Sequence, residues 1–438
     1  MMATSHNNLI AVMPLSDLFL TLEATDSVGA SPWRTFVNCA ACQTHLFLSE
    51  KAFTGETMNN NEKNAATLFG AIQSHTPICP LGEEYRGWLI EAMQLIHADF
   101  NRSADTHLQQ FDLPLYRDVH IYLKDESSHP TGSLKHRLAR SLILYGLCNG
   151  KIGPGTHLIE ASSGSTAVSE AYFARLLKLP FIAVVPKGTS SEKLKQIARY
   201  GGKTVEVEAE DIYTEAQRLV TELGGYYLDQ FTNAERATDW RSNNNIAESL
   251  FQQMAQETYA APDWIVIGAG TGGTSATLGR YIRYQADSFG HTKVCVADPD
   301  NSAFFEGYRD NNVHHQVKLR SRIEGAGRPR VEASFISDVV DRMLKVPDRL
   351  SFAAIWWIRE QTGKAYGPST GLNICATLFL AKEMVSADQA GSIVTLICDS
   401  GERYMDTCYS REWLADRGID IDSELAALKL ALYSLQNP

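Results

Sequence analysis

Three kinds of side chain in this chain could do chemistry together: a lysine at a turn, a run of hydroxyls and a run of glycines. Lys135 follows Pro130-Thr131-Gly132-Ser133-Leu134, where Pro130 and Gly132 punctuate a tight turn. Ser133 is placed to cap a helix carrying Leu134, Leu138, Leu142 and Leu144. The spacing puts Lys135 in the first turn of that helix, just past a short apolar strand, Ile121-Tyr122-Leu123. A cation there opposes the positive end of the helix dipole, which lowers the pKa of the amine and suits a nucleophile or a Schiff base. A solvated surface lysine fits the same spacing. A second stretch, Glu160-Ala161-Ser162-Ser163-Gly164-Ser165-Thr166-Ala167, offers four hydroxyls and a glycine at a helix start, with no further carboxylate until Glu170. It reads as a cradle for an anion such as a carboxylate, or as an ordinary Ser/Thr cap. A third, Gly268-Ala269-Gly270-Thr271-Gly272-Gly273-Thr274, lets backbone N–H groups close on a phosphate, or serves only tight packing. A fourth, Cys398-Asp399-Ser400-Gly401-Glu402-Arg403-Tyr404, again ends an apolar run.

Chemistry of this kind needs elements that present the stretches side by side. Apolar runs predict strands over 120–124, 156–160, 181–186, 203–208, 263–268, 292–298 and 392–398, with amphipathic helices between most of them. A first helix is expected over 82–99, with Trp88, Leu89, Met93 and Ile96 on one face. Continuous apolar strands alternating with helices indicate an α/β fold with buried, mostly parallel sheets. In such sheets ligands collect at the carboxyl ends of strands. All four stretches follow a predicted strand.

The third stretch also satisfies G-x-G-x-x-G through Gly268, Gly270 and Gly273, and Asp298 ends the next strand where a ribose partner would stand. The distance from the glycines to Asp298 exceeds the usual ~20 residues, and a nicotinamide enzyme leaves Lys135 unexplained. A cofactor with a single phosphate is the better reading.

The 438 residues allow two or three domains, and a hydrophobic content of 44% supports large cores. A net charge of -11 argues against nucleic acid or an anionic membrane as the main partner. No apolar run reaches 18 residues. The run Leu9 to Leu22 has no basic residue before it and is broken by Pro14 and Asp17; Arg34 is the first basic residue, so neither a signal nor a transit peptide is expected. Eight scattered cysteines read as free thiols in a reducing compartment. Cys39 and Cys42, with His45 nearby, lack the second pair that a zinc site needs, and no metal is expected. Residues 1–84 have weak periodicity and a polar stretch from Thr54 to Lys63, and read as an extension of unknown role.

Taken in order, the four stretches resemble the cysteine synthase family, the fold type II enzymes dependent on pyridoxal 5'-phosphate, over about residues 85–415. Pro130 to Lys135 resembles the Schiff-base motif, Ser162 to Thr166 the substrate-carboxylate loop, Gly270 to Thr274 the phosphate loop, and Ser400 to Tyr404 the last motif, whose serine bonds the pyridine nitrogen. Within the family, His129 to Arg137, Glu160 to Ala174 and Ser321-Arg322-Ile323-Glu324-Gly325 are most similar to the bacterial L-cysteine desulfhydrases. Ser165 stands where ordinary synthases carry an asparagine that contacts the cofactor, and His136 where they carry an aspartate.

The resemblance implies two three-layer α/β domains with the cofactor between them: a large one from 85–119 plus 261–420, a small one from 120–260, and a C-terminal tail from 421–438. It implies Lys135 as the catalytic residue, with Ser165, Gly270, Thr271, Gly272, Gly273, Thr274 and Ser400 also on the cofactor. Ser162, Ser163, Gly164 and Thr166 would hold the substrate's carboxylate. The implied reaction is β-elimination of L-cysteine to hydrogen sulfide, pyruvate and ammonia. The alternative is synthesis of L-cysteine from O-acetylserine and sulfide by β-replacement, and a non-catalytic sulfur-amino-acid sensor is a third reading. A cytoplasmic homodimer without nucleic-acid or membrane partners is expected by the same resemblance. His136 reads either as a donor to the leaving sulfur or as packing beside Lys135. The stretch Gly367-Pro368-Ser369-Thr370-Gly371 resembles a loop near the cofactor, and Glu324-Gly325-Ala326-Gly327 a mobile stretch over the site.

Overall fold

The computed structural model describes residues 82–103, 105–113 and 118–433, and the backbone of a two-residue antiparallel pair, Val37–Asn38 with His45–Leu46. Contacts divide the chain into two units, Met1–Pro80 and Leu81–Pro438. The Cys39–Cys42 pair and the stretch 54–63 lie outside the described residues.

Among the described residues of the second unit, ten strands form two sheets. They are β1 (His107–Gln110), β2 (Val119–Asp125), β3 (Leu158–Glu160), β4 (Phe181–Pro186), β5 (Lys203–Val207), β6 (Tyr226–Tyr227), β7 (Trp264–Gly268), β8 (Lys293–Pro299), β9 (Arg342–Val346) and β10 (Gly391–Ile397). The larger sheet has the order β9-β8-β7-β10-β2-β1 and the smaller β5-β4-β3-β6. Every pairing is parallel except β1 with β2. The apolar runs explain this arrangement. Every residue of β10 is buried, as are all of β4 but its last, so both faces of these strands are covered and side chains need not alternate.

Six helices matter for the site: α1 (Gly82–Ser103), α2 (Lys135–Cys148), α3 (Ser165–Leu176), α4 (Gly273–Tyr284), α5 (Asp348–Thr362) and α6 (Pro368–Ser386). Helix α2 buries Ala139, Leu142, Ile143 and Leu147 against Ala167, Ala171 and Ala174 of α3, beside the smaller sheet. Small side chains on α3 let the two helices approach closely.

The expected domain limits need correction at three places. Helix α1 packs Ala92 and Ile96 into the core of the smaller sheet, not the larger. Strand β2, expected in the small domain, hydrogen-bonds along its whole length to β10 in the larger sheet. Residues 421–433, expected as a tail, form a helix whose Ile421, Leu425 and Leu432 join the core packed on α5. The chain therefore crosses between the sheets in the turn between β2 and α2.

Candidate active site

Register brings the carboxyl ends of three strands together. Asp125 of β2 pairs with Ile397 of β10, and β10 pairs in turn with β7, which ends at Gly268. The Lys135 turn, the 398–400 segment and the glycine loop leave the sheet from these neighbouring ends, as the open α/β rule requires. The Lys135 turn is then fixed to the end of β10. Leu134 donates its N–H to the Cys398 carbonyl at 2.8 Å, and Ser400 donates to the Gly132 carbonyl at 3.1 Å. Gly132 has φ +72°, a left-handed conformation that closes the turn with Gly132 N–H on the His129 carbonyl at 2.7 Å. Ser133 does not cap α2 as expected: Leu134 occupies the cap position, and Ser133 Oγ only accepts the Lys135 N–H at 3.3 Å.

Lys135 begins α2, half-buried, and lines three cavities, two of which also reach Ser165 of the hydroxyl loop. The first is walled by Gly270, Thr271, Gly272, Thr274 and Ser275, by Ser133 and Ser165, and by Gly325, Ser369, Cys398 and Asp399. A methyl built on Gly270 would come within 3.9 Å of Lys135 Nζ, so the amine is held against the glycine loop. The surface-lysine reading is thereby excluded. Burial lowers the pKa of the amine, and nearby Cys398 and Asp399 oppose that shift. Burial pushes the Cys398 thiol up to about 12, so it is neutral at ordinary pH and only Asp399 supplies an opposing charge. Asp399 itself is raised to about 6 by burial, with Arg403 and the Tyr404 hydroxyl pulling it down.

The glycine loop opens α4. Gly272 caps it with φ +89°, Gly273 donates its N–H to Thr271 Oγ1 at 3.2 Å, and the first turn holds no acidic residue. The second cavity is walled by Ser162, Gly164, Ser165 and Thr166, by Gln230 and Phe231, and by the segment from Arg320 to Pro329. Thr166 donates to Gln230 Oε1 at 2.7 Å. Glu324 faces Gly164 across this cavity and pairs with Lys193 at 2.8 Å. The stretch 324–327 forms the roof of the site, tied down by Gly327 N–H on the Ala269 carbonyl at 2.8 Å.

The structure thus brings together Lys135, Ser162, Gly164, Ser165, Thr166, Gly270, Thr271, Gly272 and Thr274. Three expected residues are not in these walls. Ser163 lines neither cavity, and Gly273 faces a separate pocket behind the loop. Ser400 is not among the lining residues either; its hydroxyl accepts the Glu402 N–H of the next turn at 3.4 Å. A further lining residue of the first cavity is Ser369, near the start of α6. Thr370, beside it, is buried and takes the Cys398 N–H at 3.1 Å.

His136 points away from both cavities, stacked on His129 at 4.9 Å and packed against Phe173 at 4.8 Å. Burial pushes its pKa down to about 3, so it is neutral packing and not a donor to the leaving group. Asp298 is also turned inward, accepting the Phe305 N–H at 2.9 Å. The nicotinamide reading loses its ribose partner. Gln230 and Phe231 were not foreseen: they follow the two-residue β6, too short to mark a strand end in the sequence. No group of His, Cys, Asp or Glu able to hold a metal occurs among the described residues, and no described helix is long and apolar enough to cross a membrane.

Comparison with known proteins agrees with this geometry. The chain is 56% identical over 348 residues to the L-cysteine desulfhydrase Cds1 of Mycobacterium tuberculosis, covering 78% of this chain and 94% of that protein. It is 30% identical to an N-(2-amino-2-carboxyethyl)-L-glutamate synthase of Ralstonia nicotianae, covering 68% of this chain and 85% of the relative. Among solved structures, O-ureido-L-serine synthase superposes with a TM-score of 0.62 at 24% identity, over 71% of this chain and 96% of that one. A hydrogen sulfide-producing enzyme of Fusobacterium nucleatum superposes with a TM-score of 0.61 at 24% identity, over 71% and 97%. These two likenesses speak to the fold. The family model for pyridoxal-phosphate dependent enzymes matches residues 106–399, from just before β1 to Asp399, so its span takes in every residue lining the two cavities but Tyr404, and the chain belongs to that family.

Proposed function

We propose that this chain is an L-cysteine desulfhydrase, converting L-cysteine and water to hydrogen sulfide, pyruvate and ammonia. The likeness to the mycobacterial L-cysteine desulfhydrase, which spans nearly all of that protein, carries the reading. The donor set suits pyridoxal phosphate. Backbone N–H groups at the start of α4, with the hydroxyls of Thr271, Thr274 and Ser275, would take the phosphate, while Lys135 would carry the group covalently. Ser165 and Ser369 line the cavity that would take its ring. When bound, the cofactor supplies an electron sink for the carbanion formed at the substrate's Cα.

The protein's own residues do the rest. The substrate carboxylate docks among Ser162, Gly164, Thr166 and Gln230 at the N-terminus of α3. Once displaced by the substrate's amine, the Lys135 amine takes the Cα proton; burial favours the neutral form that this step needs. The C–S bond then breaks with its electron pair on sulfur, the proton held by Lys135 passes to that sulfur, which leaves as hydrogen sulfide, and water hydrolyses the released three-carbon enamine to pyruvate and ammonia. The roof formed by 324–327 limits the water that reaches the carbanion. On this proposal the cofactor lies between the bodies built on the two sheets. By likeness to the family, the enzyme is a cytoplasmic homodimer.

Purified holoenzyme given L-cysteine alone should release sulfide and pyruvate in equal amounts. Given O-acetylserine plus sulfide, it should form cysteine more slowly. No sulfide from cysteine, with brisk cysteine synthesis, overturns the proposal in favour of the synthase. Sedimentation of the holoenzyme checks the dimer.

A further inference from the structure

Behind the substrate loop lies a group of buried acids that the mechanism above does not use. Glu160 ends β3 and Glu170 stands on α3; both are fully buried. Glu160 accepts the Ala161 N–H at 3.0 Å on one oxygen and the Gln230 N–H at 3.3 Å on the other. Neither oxygen of Glu170 meets an N–H or O–H donor among the described residues. Among the described groups the Glu160 carboxyl acts on it most strongly, and two ionised carboxylates cannot hydrogen-bond. Asp229 and Tyr227 also bear on the pair, and the Tyr227 hydroxyl lacks a partner among the described residues. The nearby cations Arg328 and Arg330 face Tyr213 and Asp229 and not the two carboxyls. Two unpaired carboxylates buried in this way are not sustainable, so the pair must hold a proton.

We propose that Glu160 and Glu170 share one proton and act as a positioning pair, fixing Gln230 and Thr166 for the substrate's carboxylate. The connection is short. Glu160 grips the Gln230 backbone, and the Gln230 side chain takes the Thr166 hydroxyl at 2.7 Å. Both Gln230 and Thr166 line the substrate cavity. With the proton in place, the pair is one hydrogen-bonded unit and β3, α3 and the segment at 230 are held in register. When the proton leaves, two like charges repel inside the core and the loop loses its support. Burial raises both carboxyls, Glu160 to about 8 and Glu170 well above the ordinary carboxyl value, so the pair keeps its last proton through neutral pH and gives it up only on the alkaline side. Affinity for the amino acid should then fall while the proton transfer at Lys135 is spared.

The inference rests on the reading of 162–166 as an amino-acid carboxylate loop, but not on cysteine being the substrate. Its test is therefore binding of L-alanine, which has no β-leaving group, to the holoenzyme by calorimetry between pH 7 and pH 9.5, beside KM and kcat for cysteine. In the wild type the alanine Kd and the cysteine KM should rise about tenfold across this range, as one lost proton per ten-fold change allows, with a smaller change in kcat. In Glu170→Gln a neutral amide donates permanently to Glu160, so the rise should shrink below threefold and thermal unfolding should depend less on pH over the same range. Glu170→Ala should raise Kd at every pH. Should Glu170→Gln fail to fold, Glu170→Met supplies the same loss of charge without the donor, and its Kd should be high but flat with pH. Wild-type and Glu170→Gln profiles that superimpose would overturn the pair. Absence of sulfide from cysteine, with these alanine profiles intact, would instead overturn only the desulfhydrase reading.

Discussion

A single methyl group at Gly272 should separate the cofactor from the protein. The Cβ of Gly272→Ala would lie 2.4 Å from Phe335 Cα, 2.7 Å from its N and 2.8 Å from its Cβ. Ordinary carbon contacts lie near 3.5–4.0 Å, so something must move by about 1 Å. Phe335 cannot easily yield. It is buried against Phe304 at 4.7 Å, its N–H is bonded to Glu332 O, and the neighbouring Ser334 N–H is bonded to Phe231 O. Overpacking of this kind costs about 1–3 kcal/mol, and alanine at φ +89° adds about 1–2 kcal/mol. The sum, about 2–5 kcal/mol, falls on the loop that opens α4. If the loop shifts to relieve it, pyridoxal-phosphate affinity drops by roughly 30- to 5,000-fold. If it does not, the same energy appears as a lower urea midpoint. The assay is titration of the apoenzyme with cofactor, followed by absorbance, beside urea unfolding. Gly270→Ala is the control. Its methyl would meet the Gly325 carbonyl oxygen at 2.4 Å, so the roof and not the cradle is pushed, and KM should rise with the cofactor retained. A Gly272→Ala protein with wild-type cofactor affinity and wild-type urea midpoint would refute the reasoning.

Lys135→Ala should reduce sulfide release by about 10²–10⁴-fold or more and abolish the long-wavelength absorption of the lysine-bound cofactor; retained turnover would remove Lys135 from the chemistry. Ser369→Ala should lower kcat by roughly ten- to a hundredfold, the range for losing a hydrogen bond to a charged group, whereas Ser400→Ala should stay within about twofold. Arg137→Met should destabilise the fold by about 3–5 kcal/mol in urea, because it strips a buried carboxylate of its partner: Glu126 is fully buried and takes Arg137 Nε at 2.6 Å. The same cluster sets an acid limit. Burial alone would raise the Glu126 pKa, but Arg137 and His129 overcome it and hold it well below 4.5, while burial pushes His136 down to about 3. Both groups contribute stability that is lost as pH falls: His136 from about 6.5 towards 3, and Glu126 from about 4.5 down through its folded value. Urea midpoints should therefore decline below pH 6.5 and more steeply below 4.5, and in Arg137→Met the lower part of that decline should flatten.

What the sequence could reveal followed from burial. Strands β4, β7 and β10 are covered on both faces and read directly as apolar runs. Strands β1 and β9 lie at the edges of the larger sheet, with mixed burial in His107–Gln110 and Arg342–Val346, and their polar residues hid them. The lysine turn, the hydroxyl loop and the glycine loop were legible because each combines an apolar strand with residues that only a helix start or a close backbone approach requires. Ser369 and Ser400 could not be separated in the same way. Both stand at a helix start, Ser369 in the first turn of α6 and Ser400 capping the short turn after β10. What distinguishes them is that Ser369 lines the first cavity and Ser400 does not, a matter of long-range pairings such as that of the Ser400 N–H with Gly132. Pairings of that kind leave no local trace.

The position of Lys135 follows from the crossing between the two sheets. Its turn is stitched to β10 through Leu134 and Ser400, so its backbone belongs to the larger sheet. Its helix packs on α3 beside the smaller sheet, and α3 begins with the hydroxyl loop. The same few residues are thus held from one side with the phosphate loop and from the other with the substrate loop. The helix dipole argues for a lowered pKa, and in the structure burial between these two bodies lowers it as well, against the opposing Asp399. That adds to what should perturb the amine. Opening the cavity to water at Ser369 or Gly325 should return the amine towards an ordinary lysine and weaken it as a base near neutral pH.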